Sequence, residues 1–218
     1  MLSHQFHISK TSTQKEAKVS QVNSFDTWKD VEIWNAYKEG NEEAFIYIYS
    51  KYVNILFNFA CHYTTNHALV KDCIQDLFIL LKSKKTFGQV ESIKPYLFKS
   101  LRREVVRALK KESRYALKDN DKDFQKFEVV LAWDEKIIND QFTSERKETI
   151  QKAIESLTEK QKEAIIYFYY EGFTYEEISQ IMNMTSAKTA RKLIYRAIDS
   201  LKLCIKDGDP GIFLTLLL

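Results

Sequence analysis

The sequence predicts an all-helical protein made of two small domains. Turn-forming residues are scarce, with five Gly and two Pro in 218 residues, whereas a β-rich fold needs many tight turns. Apolar residues make up 44% of the chain, and they recur every three or four residues in separated blocks. We therefore expect helices throughout, with two small cores rather than one.

Composition divides the chain into five segments. Residues 1–28 are polar and lack periodicity, which predicts a flexible N-terminal tail. Two helical domains are expected at 29–116 and 144–206, separated by an acidic linker at 117–143 that becomes ordered only against a partner. We expect a tail at 207–218, because its apolar stretch, 212–218, is far shorter than the ~20 residues that a membrane span requires.

Four helices are predicted in the first domain. A short helix from Asp30 ends at Gly40, and Asn41 caps a second helix that has acidic residues in its first turn. The third helix starts near Asn66, and the fourth opens at Ser92. The second helix carries an apolar stripe, expected to face inward, formed by Phe45, Tyr49, Tyr52, Leu56, Phe59 and Tyr63.

The third helix combines an apolar face with a polar patch. Helical spacing turns five apolar side chains inward, namely Leu69, Cys73, Leu77, Phe78 and Leu81. The same spacing leaves Asp72, Gln75 and Asp76 on another face, where they need water or a partner.

Cationic side chains concentrate around the fourth helix. Between Lys82 and Arg114 there are eleven Lys and Arg against three Glu, although the net charge of the chain is only +3. Leu97, Leu101, Val105 and Ala108 form the inward stripe of this helix, and the other side holds Lys99, Arg103, Arg107, Lys110 and Arg114. A solvated face usually mixes charges of both signs, so this stripe predicts contact with a polyanion.

The second domain contains a helix-turn-helix pattern. Thr158 with Gln161, and Thr174 with Glu177, form capping boxes that open two helices, and Gly172 ends the first of these. After a short helix, Asn183 occupies the turn, since Asn tolerates the left-handed backbone that a tight helix end requires.

The last helix, from about residue 186 to 206, has the pattern of a recognition helix. Its inward side chains are Ala190, Leu193, Ile194, Ala197 and Leu201. Its outward side chains are Lys188, Arg191, Lys192, Tyr195 and Arg196. This outward set offers hydrogen-bond donors for base edges and cations for phosphates. The alternative is a generic amphipathic helix pair with a solvated basic face.

These motifs together resemble the sigma factors of bacterial RNA polymerase, in particular the extracytoplasmic-function (ECF) group. The resemblance to sigma region 2 is carried by Ala44-Phe45-x-x-x-Tyr49-x-x-Tyr52 and Asp72-x-x-Gln75-Asp76-x-Phe78. The resemblance to region 4 is carried by Leu157-x-x-x-Gln161, Glu171-Gly172-x-Thr174-Tyr175-x-Glu177-Ile178 and Tyr195-Arg196-Ala197-x-x-x-Leu201.

The resemblance implies a protein that directs promoter recognition, DNA melting and transcription initiation without catalytic residues, cofactor or metal. Its partners would be promoter DNA, core RNA polymerase and an anti-sigma factor. Asp72, Gln75 and Asp76 would bind the β′ clamp helices of the polymerase, and the β subunit would be a further contact. Three cysteines at no disulfide-like spacing and the lack of a signal-peptide pattern favour the cytoplasm, without membrane insertion.

The resemblance also implies two DNA contacts. Residues expected at the minus-ten region are Lys99, Arg102, Arg103, Arg107, Lys110 and Arg114. Residues expected at the minus-thirty-five region are Thr185, Ser186, Lys188, Thr189, Arg191, Lys192 and Arg196. Lys188 and Arg191 should lie nearest the bases, because they are toward the N-terminal end of the recognition helix.

Two other interpretations are open from the residues. A stand-alone transcription regulator with a helix-turn-helix would use the first domain for signal input or dimerisation. A structural metal site would use Cys61, His62, His67 and Cys73, but adjacent Cys61 and His62 diverge by about 100° on a helix. Packing is therefore the favoured role for those four side chains.

Overall fold

The computed structural model describes residues 23–83, 90–116, 127–128 and 144–205, and within these ranges the protein is helical without strands. This confirms the predicted fold class. The α-helices are α1 (Asp30–Lys38), α2 (Glu42–Ala60), α3 (His67–Ser83), α4 (Ile93–Ala116), α5 (Ser144–Glu155), α6 (Glu159–Ile165), α7 (Tyr175–Ile181) and α8 (Ala187–Ile205). A 3-10 turn, Asn23–Thr27, precedes α1, and a π-helical turn, Ile166–Tyr170, extends α6.

Local signals set the helix boundaries in the first half as predicted. Gly40 has a φ of +92°, a conformation that favours Gly, and it separates α1 from α2. The Asn41 side chain then accepts hydrogen bonds from the backbone N–H groups of Glu43 (2.9 Å) and Ala44 (3.1 Å). These bonds satisfy two of the donors that a helix start leaves unpaired.

Both predicted capping boxes are formed in the second half. The Thr158 N–H donates to Gln161 Oε1 (2.9 Å), and the Gln161 N–H donates to Thr158 Oγ1 (3.4 Å). The equivalent pair at the start of α7 joins Thr174 and Glu177 at 2.8 and 3.2 Å. Each box satisfies two backbone donors reciprocally, so these helices begin where the local sequence directs.

The apolar stripe predicted for α2 is partly wrong. Tyr52, Leu56, Phe59 and Tyr63 are buried, but Tyr49 is 43% exposed and Phe45 is only partly buried. The face of α2 that enters the core is completed instead by Ala44, Tyr47, Ile48 and Ala60. Helix α2 carries aromatic residues on several of its faces, so periodicity alone does not identify the face that is buried.

The folded region begins earlier than the predicted boundary at residue 28. Phe25 is buried, with its ring 5.0 Å from that of Trp28 and 5.5 Å from that of Tyr47. The Tyr47 hydroxyl also donates to Asp26 (3.0 Å). Phe25 is thus part of the core although it precedes the predicted boundary, while 1–22 lie outside the described residues.

The expectation of two separate cores is also wrong. Buried side chains of the first half (residues 25–116) and the second half (residues 144–205) form a single cluster. Helix α4 lies against α7, and the ring of Phe98 on α4 is 5.0 Å from that of Phe173. The two halves each have their predicted helices, but apolar residues of both meet in a shared interface.

Part of the predicted linker lies in this cluster. Phe127 is 1% exposed, with its ring 4.8 Å from Tyr63 and 5.3 Å from His62. The Glu128 N–H donates to the His62 carbonyl (2.7 Å). Residues 127–128 of the predicted linker are therefore held by contacts with the chain itself. The remaining linker residues, the loop with Lys84 and Lys85, and the tail from 206 lie outside the described residues.

Candidate nucleic-acid and polymerase interfaces

The helix-turn-helix consists of α7, a tight turn and α8. Asn183 has a φ of +53°, which is the left-handed conformation expected from the sequence. The Met184 N–H donates to the Ser179 carbonyl (2.7 Å), which closes the turn onto α7. Ile178 and Met182 are buried as predicted, and they hold α7 against α8.

Helix α8 has the predicted division into two faces. Ala190, Ile194, Ala197 and Leu201 are buried, and Leu193 is half-buried. The exposed side chains are Lys188, Arg191, Lys192, Tyr195 and Arg196. The Arg191 guanidinium lies 5.3 Å from the centre of the Tyr195 ring and donates to its hydroxyl (3.4 Å). Cationic and aromatic groups therefore share one open face.

Three hydroxyl groups lie at the N-terminal end of α8. Thr185 Oγ1 and Ser186 Oγ are each 3.1 Å from Thr189 Oγ1, and the Thr189 N–H donates to Ser186 Oγ (3.3 Å). All three side chains are exposed. A helix start of this kind presents hydroxyl and amide donors to phosphate oxygens or base edges.

The basic stripe of α4 is present over most of its predicted length. Arg103, Arg107 and Lys110 are exposed, whereas Lys99 is half-buried. Arg107 is paired with Glu104 one turn away, at the protein surface. Arg114 belongs to α4, but its side chain lies outside the described residues.

Arg102 does not lie on this open stripe. Its Nε donates to Glu163 Oε1 (2.5 Å) and its Nη2 to Glu163 Oε2 (3.1 Å). The two side chains are only 12% and 4% exposed. In this conformation the guanidinium is therefore enclosed between the two halves, because Arg102 projects about 100° away from Arg103 on the helix.

Two buried tyrosines complete the environment of Glu163. The Tyr167 hydroxyl donates to Glu163 Oε1 (3.1 Å), and the Tyr63 hydroxyl donates to the same oxygen. Burial, reinforced by neighbouring groups that include the Glu163 carboxylate, raises the pKa of both phenols. For Arg102, burial alone would lower the pKa, but the hydrogen bonds and charge of Glu163 outweigh it and raise the pKa. Both tyrosines stay protonated donors and Arg102 stays charged.

The predicted polar patch on α3 is exposed. Asp72, Gln75 and Asp76 all face outward, while Leu69, Cys73, Leu77, Phe78 and Leu81 are buried. Beside the patch, Ile79 and Leu80 are 55% and 54% exposed. A groove of about 810 Å³ between α2 and α3 adjoins them, and its lining includes Gln75 and the ring of Tyr49.

The side chains considered for a metal site have other surroundings. Cys73 is buried, and this burial, followed by the charge of Glu104, raises the pKa of its thiol to about 11. His67 packs edge-on against Phe57 at 5.5 Å, and His62 stacks on Phe127. Among the described residues, no three His, Cys, Asp or Glu side chains form a group that could hold a metal ion.

Sequence reasoning missed the acidic residue at the centre of the interface. Glu163 stands beside the apolar run Ala164-Ile165-Ile166-Tyr167, and it is one of the buried residues of α6. A lone acidic residue on the apolar side of a helix is the signal that could have identified it, since a buried carboxylate requires partners.

The protein combines a helix-turn-helix that has a basic outer face, a second basic helix and an exposed polar patch. This combination is typical of a helical protein that binds DNA in transcription. The family description "Sigma-70 region 2" matches residues 48–115, and "Sigma-70, region 4" matches residues 147–201. The chain therefore belongs to the sigma-70 family of sigma factors.

A curated relative and a solved structure are similar to this chain. The chain is 23% identical over 161 residues to the ECF RNA polymerase sigma factor SigM of Bacillus subtilis (strain 168), covering 74% of this chain and 94% of SigM. The sigma factor RpoE, in a co-crystal with the anti-sigma factor NepR from Bartonella quintana, is 21% identical with a TM-score of 0.48. That match covers 72% of this chain and 94% of RpoE.

No helix in the described parts of the chain is both long and apolar enough to cross a membrane.

Proposed function

We propose that this sigma factor, which directs promoter-specific transcription, uses three separate binding surfaces. The first surface binds core RNA polymerase, the second contacts the minus-thirty-five element, and the third contacts the minus-ten region. Family membership carries the general function. The exposed cationic face of α8 on a helix-turn-helix is the observation that best supports promoter reading by this chain.

The proposed polymerase contact is the exposed face of α3. Asp72, Gln75 and Asp76 lie beside Ile79 and Leu80, which are more than half exposed. An apolar patch rimmed by polar groups is typical of a protein interface, because its burial is favourable and the polar groups give it specificity. The β′ clamp helices are the partner implied by the family resemblance, and the β subunit is proposed as a second contact.

The proposed minus-thirty-five contact is the outer face of α8 with the hydroxyl groups at its start. Lys188 and Arg191 lie toward the N-terminal end of the helix, the end that approaches base edges in this motif. Lys192 and Arg196 are placed to neutralise phosphates, and Thr185, Ser186 and Thr189 to donate hydrogen bonds to the DNA backbone. A stand-alone regulator would use the same face, but it would not need core polymerase.

The proposed minus-ten contact is the stripe of α4, where Arg103, Arg107 and Lys110 are exposed. Lys99, Arg102 and Arg114 are the other predicted members, and Arg102 must first leave Glu163. Melted DNA would be held here by cations, and salt would weaken the contact through counterion release. We also propose a cytoplasmic protein with an anti-sigma partner, as the resemblance implies, and we assign it no catalytic step or cofactor.

In vitro transcription with core RNA polymerase tests this function. Core polymerase with the protein should initiate at defined start sites on genomic templates, and core polymerase alone should not. A protein that binds promoter DNA tightly without core polymerase, and never changes the start sites, would be a stand-alone regulator.

The polymerase surface is tested by Gln75→Ala combined with Asp72→Ala. Both side chains are exposed, so the fold should be retained, and affinity for core polymerase should fall. Lys38→Ala, which changes an exposed position on α1, is the control. An unchanged affinity in a folded double variant would exclude this face as the polymerase contact.

The minus-thirty-five surface is tested by Arg191→Ala across a series of promoter variants. Loss of a base contact should cost on the order of 1–3 kcal/mol and relax discrimination at one base pair. Lys192→Ala is the matched comparison, because loss of a phosphate contact should weaken all promoters alike. If Arg191→Ala also weakens every promoter equally, Arg191 contacts the backbone rather than a base.

A further inference from the structure

We propose that the Arg102–Glu163 pair is a latch that holds this protein in a closed, inactive conformation, and that opening of the latch is a step in holoenzyme formation. The inference rests on the proposed function, since it assumes that the two halves contact separate promoter elements. The observation that carries it is the burial of a predicted DNA-binding arginine between those halves.

The closed conformation cannot contact both promoter elements. Elements at minus ten and minus thirty-five are about 25 base pairs apart, or about 85 Å along B-form DNA at ~3.4 Å per base pair. In the closed protein, α4 of the first half lies directly against α7, the first helix of the helix-turn-helix. The helix that would contact one element is thus packed on the motif that would contact the other, so the halves must separate.

The polar centre of the interface is fully paired only when the halves are together. The two Arg102–Glu163 hydrogen bonds and the Tyr63–Glu163 hydrogen bond all cross between the first and second halves. Tyr167, from the second half, adds a fourth bond to the same carboxylate. If one member of such a buried pair loses its partner, its charge is left uncompensated. Conformations in which the two halves are only partly in contact are therefore unfavourable.

A second pair lies at the edge of the interface. Lys94 Nζ is 2.9 Å from Glu171 Oε2 and donates to the Glu171 carbonyl oxygen (2.7 Å). The same ammonium group lies 5.0 Å from the ring centre of Phe173 and 5.6 Å from that of Phe98. This pair is more exposed than Arg102–Glu163, so it should contribute less to closure.

The chemistry of the pair suits a reversible contact. Burial of two ions costs solvation energy that cancels much of their attraction, so this fully hydrogen-bonded pair favours closure by only a small net amount and specifies one geometry. Opening hydrates both Arg102 and Glu163, which recovers that solvation energy. Polymerase and promoter DNA can then stabilise the open state, because the open state exposes both of their binding surfaces at the same time.

The latch also explains why one arginine of the basic helix differs from its neighbours. Arg103 and Arg107 are exposed on α4, whereas Arg102 is held by a carboxylate of the other half. The same guanidinium can serve DNA only after it has left Glu163. Closure therefore removes one cation from the minus-ten surface and also prevents the two halves from spreading along DNA.

The test is the conformation of the free full-length protein, measured by the distance between two spin labels. Labels on Glu39→Cys and Asp199→Cys would be placed at exposed sites on α1's end and on α8, after Cys61, Cys73 and Cys204 have been replaced. Glu163→Gln removes the charge but keeps the size of the side chain. Glu176→Gln, at an exposed site on α7, makes the same change outside the interface and is the matched control.

The unchanged protein and the Glu176→Gln control should show one predominant short distance. Glu163→Gln should increase the population at longer distances by at least about tenfold, because Arg102 is left buried without its counter-charge. The same variant should associate with core polymerase faster than the control. If Glu163→Gln and the control have the same distance distribution, the latch does not exist.

Two further measurements keep the result unambiguous. If circular dichroism shows that Glu163→Gln does not fold, Lys94→Gln takes its place, with a smaller increase in long distances expected and an unchanged distribution refuting the latch. Transcription by the unlabelled protein is measured separately. If Glu163→Gln opens the protein but the protein supports no transcription, the latch is supported and the proposed function is rejected. If the protein supports transcription but Glu163→Gln does not open it, the proposed function is supported and the latch is rejected.

Discussion

Phe127→Ala should destabilise the protein strongly, although Phe127 belongs to the segment that the sequence predicts to be an acidic linker. The ring is 1% exposed and packs against Tyr63, His62 and, at 6.3 Å, Phe59. Replacing a buried Phe by Ala typically costs ~3–5 kcal/mol. We expect the lower end, about 3 kcal/mol, because two hydrogen bonds do not require the ring: the Phe127 N–H donates to the Glu159 carboxylate, and the Glu128 N–H donates to the His62 carbonyl.

The assay is unfolding by urea and by heat, followed by circular dichroism. For a chain of this size, about 3 kcal/mol corresponds to a fall in Tm of roughly 6–12 °C. Leu203→Ala, at a side chain that is 67% exposed, is the control and should change stability by less than about 0.5 kcal/mol.

A second measurement in the Phe127→Ala variant follows His62 by NMR. Burial lowers the pKa of His62, against an opposing effect of its hydrogen bond to the Glu128 carbonyl. Loss of the stacked ring should hydrate the imidazole and raise this pKa toward the ordinary value of about 6.5. A loss of stability below about 0.5 kcal/mol, together with an unchanged His62 pKa, would refute the packing argument.

Two further predictions concern pH and the helix-turn-helix. Because the pKa of His62 is lower in the folded protein than in the unfolded chain, the unfolded chain binds more protons between those two values, so stability should fall as the pH drops below about 6.5. Urea unfolding from pH 7.5 to 5 should show a smaller fall for His62→Asn, and equal slopes would contradict the prediction. Asn183→Ala should cost about 1 kcal/mol in thermal unfolding, since Asn183 has a φ of +53°. Asn183→Gly should match or exceed the original stability, and equal losses in both variants would show that backbone conformation is not the cause.

Local sequence patterns were sufficient for the helices and their ends. Capping by Asn41, Thr158 and Thr174 was predictable because a cap depends on residues within three positions of each other. The left-handed turn at Asn183 was predictable for the same reason. The two faces of α8 also followed from spacing, since the inward positions hold only apolar residues.

The orientation of richly aromatic helices was not predictable in the same way. Tyr49 and Tyr52 both fit an apolar stripe on α2, yet Tyr49 is 43% exposed and Tyr52 is buried. The difference depends on where α3 and α4 contact α2, which no local pattern specifies. The patch at Asp72, Gln75 and Asp76 was easier to place, because the opposite face of α3 is continuously apolar.

By itself, the sequence determined an all-helical chain with a helix-turn-helix, a basic helix and the motifs of a sigma factor, because these features depend on short-range spacing. Only the tertiary structure decided that the two halves share one core. It also decided that Phe127 belongs to that core, and that Arg102 is buried against Glu163 while Arg103 is exposed. Contacts between residues 61 positions apart depend on how whole helices pack, and adjacent arginines on one helix then meet different surroundings.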